Sequence, residues 1–211
     1  MNFPSGLIIV GAGGHGREVA CVAISTGIGF AGFVDDCQPD EHLLVPFGVP
    51  YLGKVRDWGG SAGIRIVVGI GSGATREAVM LRMAANGIGG GLVDPMASIG
   101  VDVRIAPGVV VFAGATVTTN IDIGRHTHIG RGAAVGHDCV LGNYVTVMPL
   151  ASVSGNVTIG DRATIGTGAV VRQGVSIGPD SFVGAGSVVL SDVPAGAVVV
   201  GNPARAIAER A

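Results

Sequence analysis

His137 and Asp138 are adjacent. An imidazole beside a carboxylate is the pairing that general-base catalysis uses: the acid orients the ring and raises its basicity, and the remaining nitrogen takes a proton from a nucleophile. Two more histidines, His126 and His128, lie shortly upstream. Near the start of the chain, Gly11-Ala12-Gly13-Gly14-His15-Gly16 has the form G-x-G-x-x-G, and Asp35 follows about twenty residues on, where a dinucleotide fold places its ribose-binding acid. Backbone N–H groups in such a turn, at a helix N-terminus, cradle phosphates. His15 inside the turn is either a phosphate neighbour or simply the helix-entry residue. Cys139 is the remaining nucleophile to weigh.

What positions these residues is a repeat. Every sixth residue from Ile99 to Val189 is Ile, Val or Leu, without a slip. A sustained period of this kind marks a repeat architecture. Counting from each anchor as i, Gly recurs at i+1, and Gly, Asn or Asp at i+3, from Asp102 to Asp192. Small or β-branched residues recur at i+4. Gly, Asn and Asp tolerate left-handed turn angles, so each unit reads as a short strand plus a corner. The anchor and i+4 residues face inward, with all sixteen anchors buried. Three units close a triangular coil; the pattern resembles the hexapeptide signature of the left-handed parallel β-helix, and the left hand is implied by that resemblance alone, since ordinary parallel crossovers are right-handed.

The register sorts the candidates. His137 and Asp138 take i+2 and i+3, on an outward corner. Their stack neighbours eighteen residues away are Thr119 and Gly155, and Gly155, lacking a side chain, leaves that side of His137 open for substrate. His126 falls on a turn position, and His128 precedes an anchor and faces a flat wall. His137 is therefore the first choice as base, with His128 and His126 as alternatives. Cys139 points into the column, where a thiol is an inert small hydrophobe. No carboxylate or thiolate cluster accompanies the histidines at metal spacing, so no metal is expected.

The first 94 residues read as a small α/β domain. Leu7–Val10 is a strand, Arg17 to Ser25 a helix, Phe30–Val34 a strand ending in Asp35-Asp36, and Arg65–Ile70 a strand before Gly71. Ala74 to Asn86 is a second helix, and Ile88–Val93 leads into the repeats. Residues 1–94 and 95–211 are thus two domains, and the tail Val198–Arg205 caps the last coil. Taken alone, the Gly-rich turn and Asp35 fit NAD(P). The domain, however, has room for only half a dinucleotide fold, and a nucleotide diphosphate suits a half-site better. A net charge of −2 suggests no nucleic-acid partner. Three scattered cysteines argue against a disulfide framework and fit a reducing compartment. The apolar run Leu7–Val10 is far too short for a signal peptide or a membrane span, so a cytoplasmic location without membrane attachment is expected.

These features together resemble the sugar O-acyltransferase family, which includes sialic acid O-acetyltransferase-like proteins and bacterial N-acetyltransferases of nucleotide-linked 4-amino sugars. The residues that carry the likeness are the Gly-x-x-Gly-His-Gly turn, Asp35-Asp36, the repeats with His137-Asp138, and the ending Gly201-Asn202-Pro203-Ala204. The resemblance implies a homotrimer with acetyl-CoA in grooves between β-helices. It implies that Gly13, Gly14 and His15 meet the phosphates and sugar of a nucleotide-sugar substrate, Asp35 and Asp36 its base and ribose, and that Gly71 lines the same pocket. It implies His137 as base with Asp138 as helper, and Thr146, Thr167 and Ala185 at acetyl-CoA. Many relatives carry a second His where this chain has Thr146, and an Asn where it has Gly130. The activity implied is N-acetylation of an amino-deoxy sugar carried by UDP or a similar nucleotide. The alternatives are O-acetylation of a sialic-acid-like sugar and a non-catalytic nucleotide-sugar-binding protein.

Overall fold

The computed structural model describes residues 6–57, 64–83 and 88–209. The chain begins as β1 (Leu7–Val10), α1 (Gly14–Ser25), β2 (Phe30–Val34), β3 (Tyr51–Gly53), β4 (Arg65–Val68), α2 (Gly73–Met83) and β5 (Ile88–Gly89). These strands form one parallel sheet in the order β3-β2-β1-β4-β5. The order reverses between β1 and β4, and ligands of open α/β sheets bind at the carboxyl ends of strands beside such a switch point. The Gly-rich turn and Gly71 both lie there. The four residues of β1 are fully buried, as expected of a strand covered on both faces.

The helix α1 starts at Gly14, three residues before the expected Arg17, because the Gly-rich turn itself winds into the first turn. A Cβ on Gly16 would collide with the Gly11 carbonyl, and Gly11 holds a φ of 104°. Close strand–helix contact therefore fixes these two glycines. The strand β4 stops at Val68, short of Ile70. The three residues of β3 carry no apolar alternation long enough to read from sequence. The helix α2 is described to Met83, and the expected continuation to Asn86 lies outside the described residues. Ile88–Val93 divides between β5 and a strand Leu92–Val93 that already pairs with Val110–Val111 of the repeats.

From Leu92 to Val189, two- and three-residue strands alternate with turns and build three parallel sheets, one per face of a prism. The pairing is offset by eighteen residues, as in Val135 against Val153 and Val153 against Val171. Fourteen anchors, Val111 through Val189, are at most 2% exposed. The other two depart from expectation: Ile99 is half-buried and Ile105 is 37% exposed. Both belong to the first coil, which has a neighbouring coil on one side only. Each fully buried Val, Leu or Ile contributes roughly 1.5–3 kcal/mol, so the column sustains itself without aromatic residues.

Every i+3 position from Asp102 to Gly186 is left-handed, including the bulky His126, Tyr144, Leu150 and Arg162. Asp192 is not among them, since the pattern ends there; its carboxylate instead accepts from the Ser176 N–H at 2.8 Å. At the far end, Ala197–Val200 adds a parallel strand beside Phe182–Val183. Arg205–Glu209 then folds back antiparallel on it, extending the sheet over the last coil. Among the described residues, no helix is long and apolar enough to cross a membrane.

The α/β domain sits on one prism face. Leu92, Val110 and Phe112 of that face share a core with Leu7, Ile9 and the buried side of α1. The other side of the sheet packs with α2 and Tyr144.

Candidate active site

His137 stands on an exposed corner, as its register requires, with its side chain about half exposed. Its Nδ1 lies 2.6 Å from Asp138 Oδ2. The other carboxylate oxygen, Oδ1, accepts from Asn120 Nδ2 at 2.6 Å. The Asn120 amide, with the His137 ring second, holds the Asp138 carboxyl below the usual carboxylate range. Asp138 therefore stays ionised and anchored, and it claims Nδ1 of His137. The nitrogen left for chemistry is Nε2. Asn120 was not among the sequence candidates, yet it lies one coil before Asp138 in the same left-handed column, so the eighteen-residue offset points to it.

The space above Gly155 is not free for substrate. A Cβ at Gly155 would lie 2.5 Å from both Cε1 and Nε2 of His137, so the imidazole itself occupies that space. The absent side chain makes room for the His137 ring itself, not for an opening beside it. Cys139 is buried, as its register predicts, and burial pushes its thiol up.

A second cluster lies where the two domains meet. His15 Nε2 is 2.8 Å from His128 Nδ1, and the rings stack with centroids 5.1 Å apart. Phe112 packs against both. His128 is thus no free wall residue but is sealed under the α/β domain at 1% exposure. Burial, and next the charge of Arg76, lower the pKa of both rings, so both are neutral. Glu18 Oε2 is 3.7 Å from His15 Nδ1, and Glu18 Oε1 is paired with Arg131 at 2.6 Å. These groups, with Gly130, Thr146 and Met148, line a cavity of about 100 Å³. At Gly130 an added Cβ would meet the backbone of Met148 and Pro149, so this backbone excludes an Asn side chain there.

His126 does occupy a turn position, with φ 54°. Its ring lies flat on Tyr144, with centroids 5.1 Å apart. Burial, then Arg76, brings its pKa down to about 4. Below Tyr144 in the same column, Arg162 reaches Asp180 at 2.7 Å and Glu77 of α2 at 3.1 Å. The N-terminus of α2 presses on this edge so closely that a Cβ on Gly73 would strike the Tyr144 carbonyl.

Arg76 locks the joint. It is fully buried and makes six contacts to acceptors: the carbonyls of Ile70, Gly71, His126, Tyr144 and Val145, and Thr146 Oγ1. Burial brings its pKa down to about 9, which leaves it charged at neutral pH. The Thr146 hydroxyl also donates to the Gly71 carbonyl at 2.8 Å. Thr146 and Gly71 are therefore brought together at the domain joint, whereas Thr167 and Ala185 lie exposed on a separate corner. Arg76 escaped the sequence reading because it sits on the buried stripe of α2 with Val79, Met80 and Met83, where an apolar residue is the usual occupant.

At the phosphate-type turn, Gly13 caps α1 without a side-chain bond, and the first helical turn carries no acid. Among the described residues, nothing lies within 4 Å of where side chains on Gly13 or Gly14 would start. A helix N-terminus with free N–H groups and open space fits an anion. Asp35 is already engaged: its carboxylate accepts from Ala12 N–H at 2.8 Å and Cys37 N–H at 2.9 Å, which ties β2 to the turn. Asp36 accepts from Arg56 N–H at 3.0 Å and lies 3.3 Å from Arg82.

Comparison with known proteins gives two family matches. Residues 6–83 match the PglD N-terminal domain family. Residues 138–173 and 156–191 match the bacterial transferase hexapeptide family of six repeats. No curated protein sequence matches. Among solved structures, the acetyltransferase domain of PglB from Neisseria gonorrhoeae FA1090 is 31% identical with a TM-score of 0.87, covering 97% of this chain and 100% of that one. The same domain in complex with acetyl coenzyme A is 32% identical, TM-score 0.84, covering 95% and 98%. A variant of perosamine N-acetyltransferase from Caulobacter crescentus, in complex with CoA and GDP-perosamine, is 32% identical, TM-score 0.85, covering 96% and 97%.

Proposed function

Because the chain belongs to the nucleotide-linked amino-sugar acetyltransferases that join a PglD N-terminal domain to hexapeptide repeats, we propose that it moves an acetyl group from acetyl-CoA to the amine of a nucleotide-linked amino-deoxy sugar, with His137 as general base. The observation that carries the reading is the Asn120–Asp138–His137 chain on an exposed corner. Asp138 accepts the Nδ1 hydrogen and leaves Nε2 as the acceptor. As the amine attacks the thioester carbonyl, the C–N bond forms and Nε2 takes the amine proton; as the C–S bond breaks, Nε2 gives that proton to the leaving sulfur, so CoA departs as its thiol.

The remaining residues divide by domain. The open N–H groups at Gly13 and Gly14, with His15, take the diphosphate. Asp36 faces solvent beside that turn and is the better placed of the two acids to meet ribose or base, since Asp35 already braces the turn. Thr167 and Ala185 stack on one exposed corner as the surface for acetyl-CoA. His137 lies on a different corner of the same prism, and a homotrimer, by setting prisms side by side, joins the two kinds of corner in one groove. Light scattering should therefore give three chains per particle.

The test is CoA-thiol release with a panel of nucleotide-linked amino sugars. His137→Ala should lower kcat roughly 10²–10⁴-fold, the usual contribution of a positioned base, with an unchanged circular dichroism spectrum. Retention of most of kcat, or no thiol release with any amino sugar in the panel, overturns the reading.

A further inference from the structure

The contact between His15 and His128 holds one hydrogen between two neutral rings, and the surroundings decide which ring carries it. If His15 Nε2 donates, His128 must carry its other hydrogen on Nε2. That atom is buried and, among the described residues, has no hydrogen-bond partner, so an N–H would be stranded there. If His128 Nδ1 donates instead, the stranded atom is a lone pair, which proteins tolerate better than an orphaned N–H. The far side of His15 points the same way. Its Nδ1 faces the Glu18 carboxylate at 3.7 Å, and the same carboxylate pairs with Arg131 at 2.6 Å. A bare lone pair there would oppose a negative charge, whereas an N–H is attracted to it.

We propose that His128 is a positioning residue that fixes His15 as the Nδ1–H tautomer, so that His15 meets its ligand as a neutral hydrogen-bond donor. The ligand atom it meets is then an acceptor, a diphosphate or sugar oxygen, and not the amine. The two imidazoles of the proposed site divide their work: His137 presents a lone pair, and His15 presents a hydrogen. His128 stacked on His15, with Phe112 packed at a tilt against it, supplies the rigidity this requires, because a ring free to flip would offer either nitrogen. The inference rests on the assignment of the Gly13-Gly14-His15 turn to the substrate.

Long-range proton–nitrogen correlation spectra of the intact protein test it. The chain has five histidines, and comparison with His15→Asn identifies the His15 signals. The expected result is a neutral His15 protonated on Nδ1, with that nitrogen shifting on addition of UDP or GDP. A His15 protonated on Nε2, or one indifferent to both nucleotides, overturns the proposal. Kinetics give the second reading. His128→Phe keeps the ring packing but removes the donor, and should raise KM for the nucleotide sugar about ten- to a hundredfold, leaving KM for acetyl-CoA and kcat unchanged. His128→Asn, whose amide replaces the Nδ1 donor, should restore most of the loss. An unchanged KM in His128→Phe, or an Asn variant no better than Phe, also overturns it. Should no amino sugar be acetylated at all, the proposed function fails, while the spectrum still decides the tautomer.

Discussion

Replacing Arg76 by Ala tests how the two domains are held. Of the six acceptors around the guanidinium, three have other partners. Val145 O also accepts from His128 N–H, Gly71 O from the Thr146 hydroxyl, and Thr146 Oγ1 keeps its role as donor. Among the described residues, the carbonyls of Ile70, His126 and Tyr144 accept from Arg76 alone. Each buried acceptor left without a donor costs about 1–3 kcal/mol. The cavity left by the side chain admits water, which holds the cost near the lower bound, so Arg76→Ala should lose about 3 kcal/mol against a typical total of 5–15. Arg76→Lys offers one ammonium in place of a planar fork and should recover only part of this. Urea unfolding followed at Tyr144, and by hydrogen exchange in α2 and along the His126–Tyr144 edge, would show the joint opening before the prism melts. A loss under about 1 kcal/mol, with one transition and unaltered exchange at that edge, would refute the reasoning.

Other outcomes follow from the same geometry. Gly155→Ala should displace the His137 ring, since the new methyl would lie 2.5 Å from Nε2; kcat by thiol release should fall about tenfold to a hundredfold, with little change in urea midpoint. Acid should destabilise the protein through His126, whose pKa falls from 6.5 unfolded to about 4 folded. Below pH 6.5 the unfolded chain takes up the proton first, so stability is full above that value and declines as pH falls toward 4, by about 3 kcal/mol in all. His126→Asn, which tolerates the left-handed angle, should flatten that slope in urea titrations across this range. Asp35→Ala should loosen the Gly-rich turn by removing the acceptor for Ala12 and Cys37, raising KM for the nucleotide sugar while that for acetyl-CoA holds.

The prism was legible in the sequence because its period is imposed by covalent geometry at every coil. One wrong residue in the column is felt by two neighbours, so Val153 or Val171 has few substitutes. The outward placement of His137 and the burial of Cys139 follow from the same count. The local α/β elements were legible where a single apolar run or turn defines them, as at β1 and β2. What sequence spacing could not give is the docking of one domain on the other. His15 and His128 are separated by 113 positions, and Arg76 and Tyr144 by 68. No repeat or local pattern links such pairs, and Arg76 was hidden on an otherwise apolar stripe. The role of Gly155 was misread for a related reason: the count locates a vacancy but not the neighbouring ring that fills it.

The edge that carries His126, Tyr144 and Arg162 has a consequence for modularity. Elsewhere the left-handed corner positions are Gly, Asn or Asp, except at Leu150. Here three bulky residues in succession accept the steric cost of that conformation, roughly 1–2 kcal/mol apiece. Each has something to hold in return: Arg76 takes two of their carbonyls, and Glu77 takes the third side chain. A prism excised from its partner would keep the strain and lose the compensation. Asn at these three positions should make the excised prism a better free-standing scaffold and the intact chain a looser one. A transplant of the α/β domain onto another hexapeptide prism would therefore have to carry this edge with it, since the graft's attachment point is written into the stock.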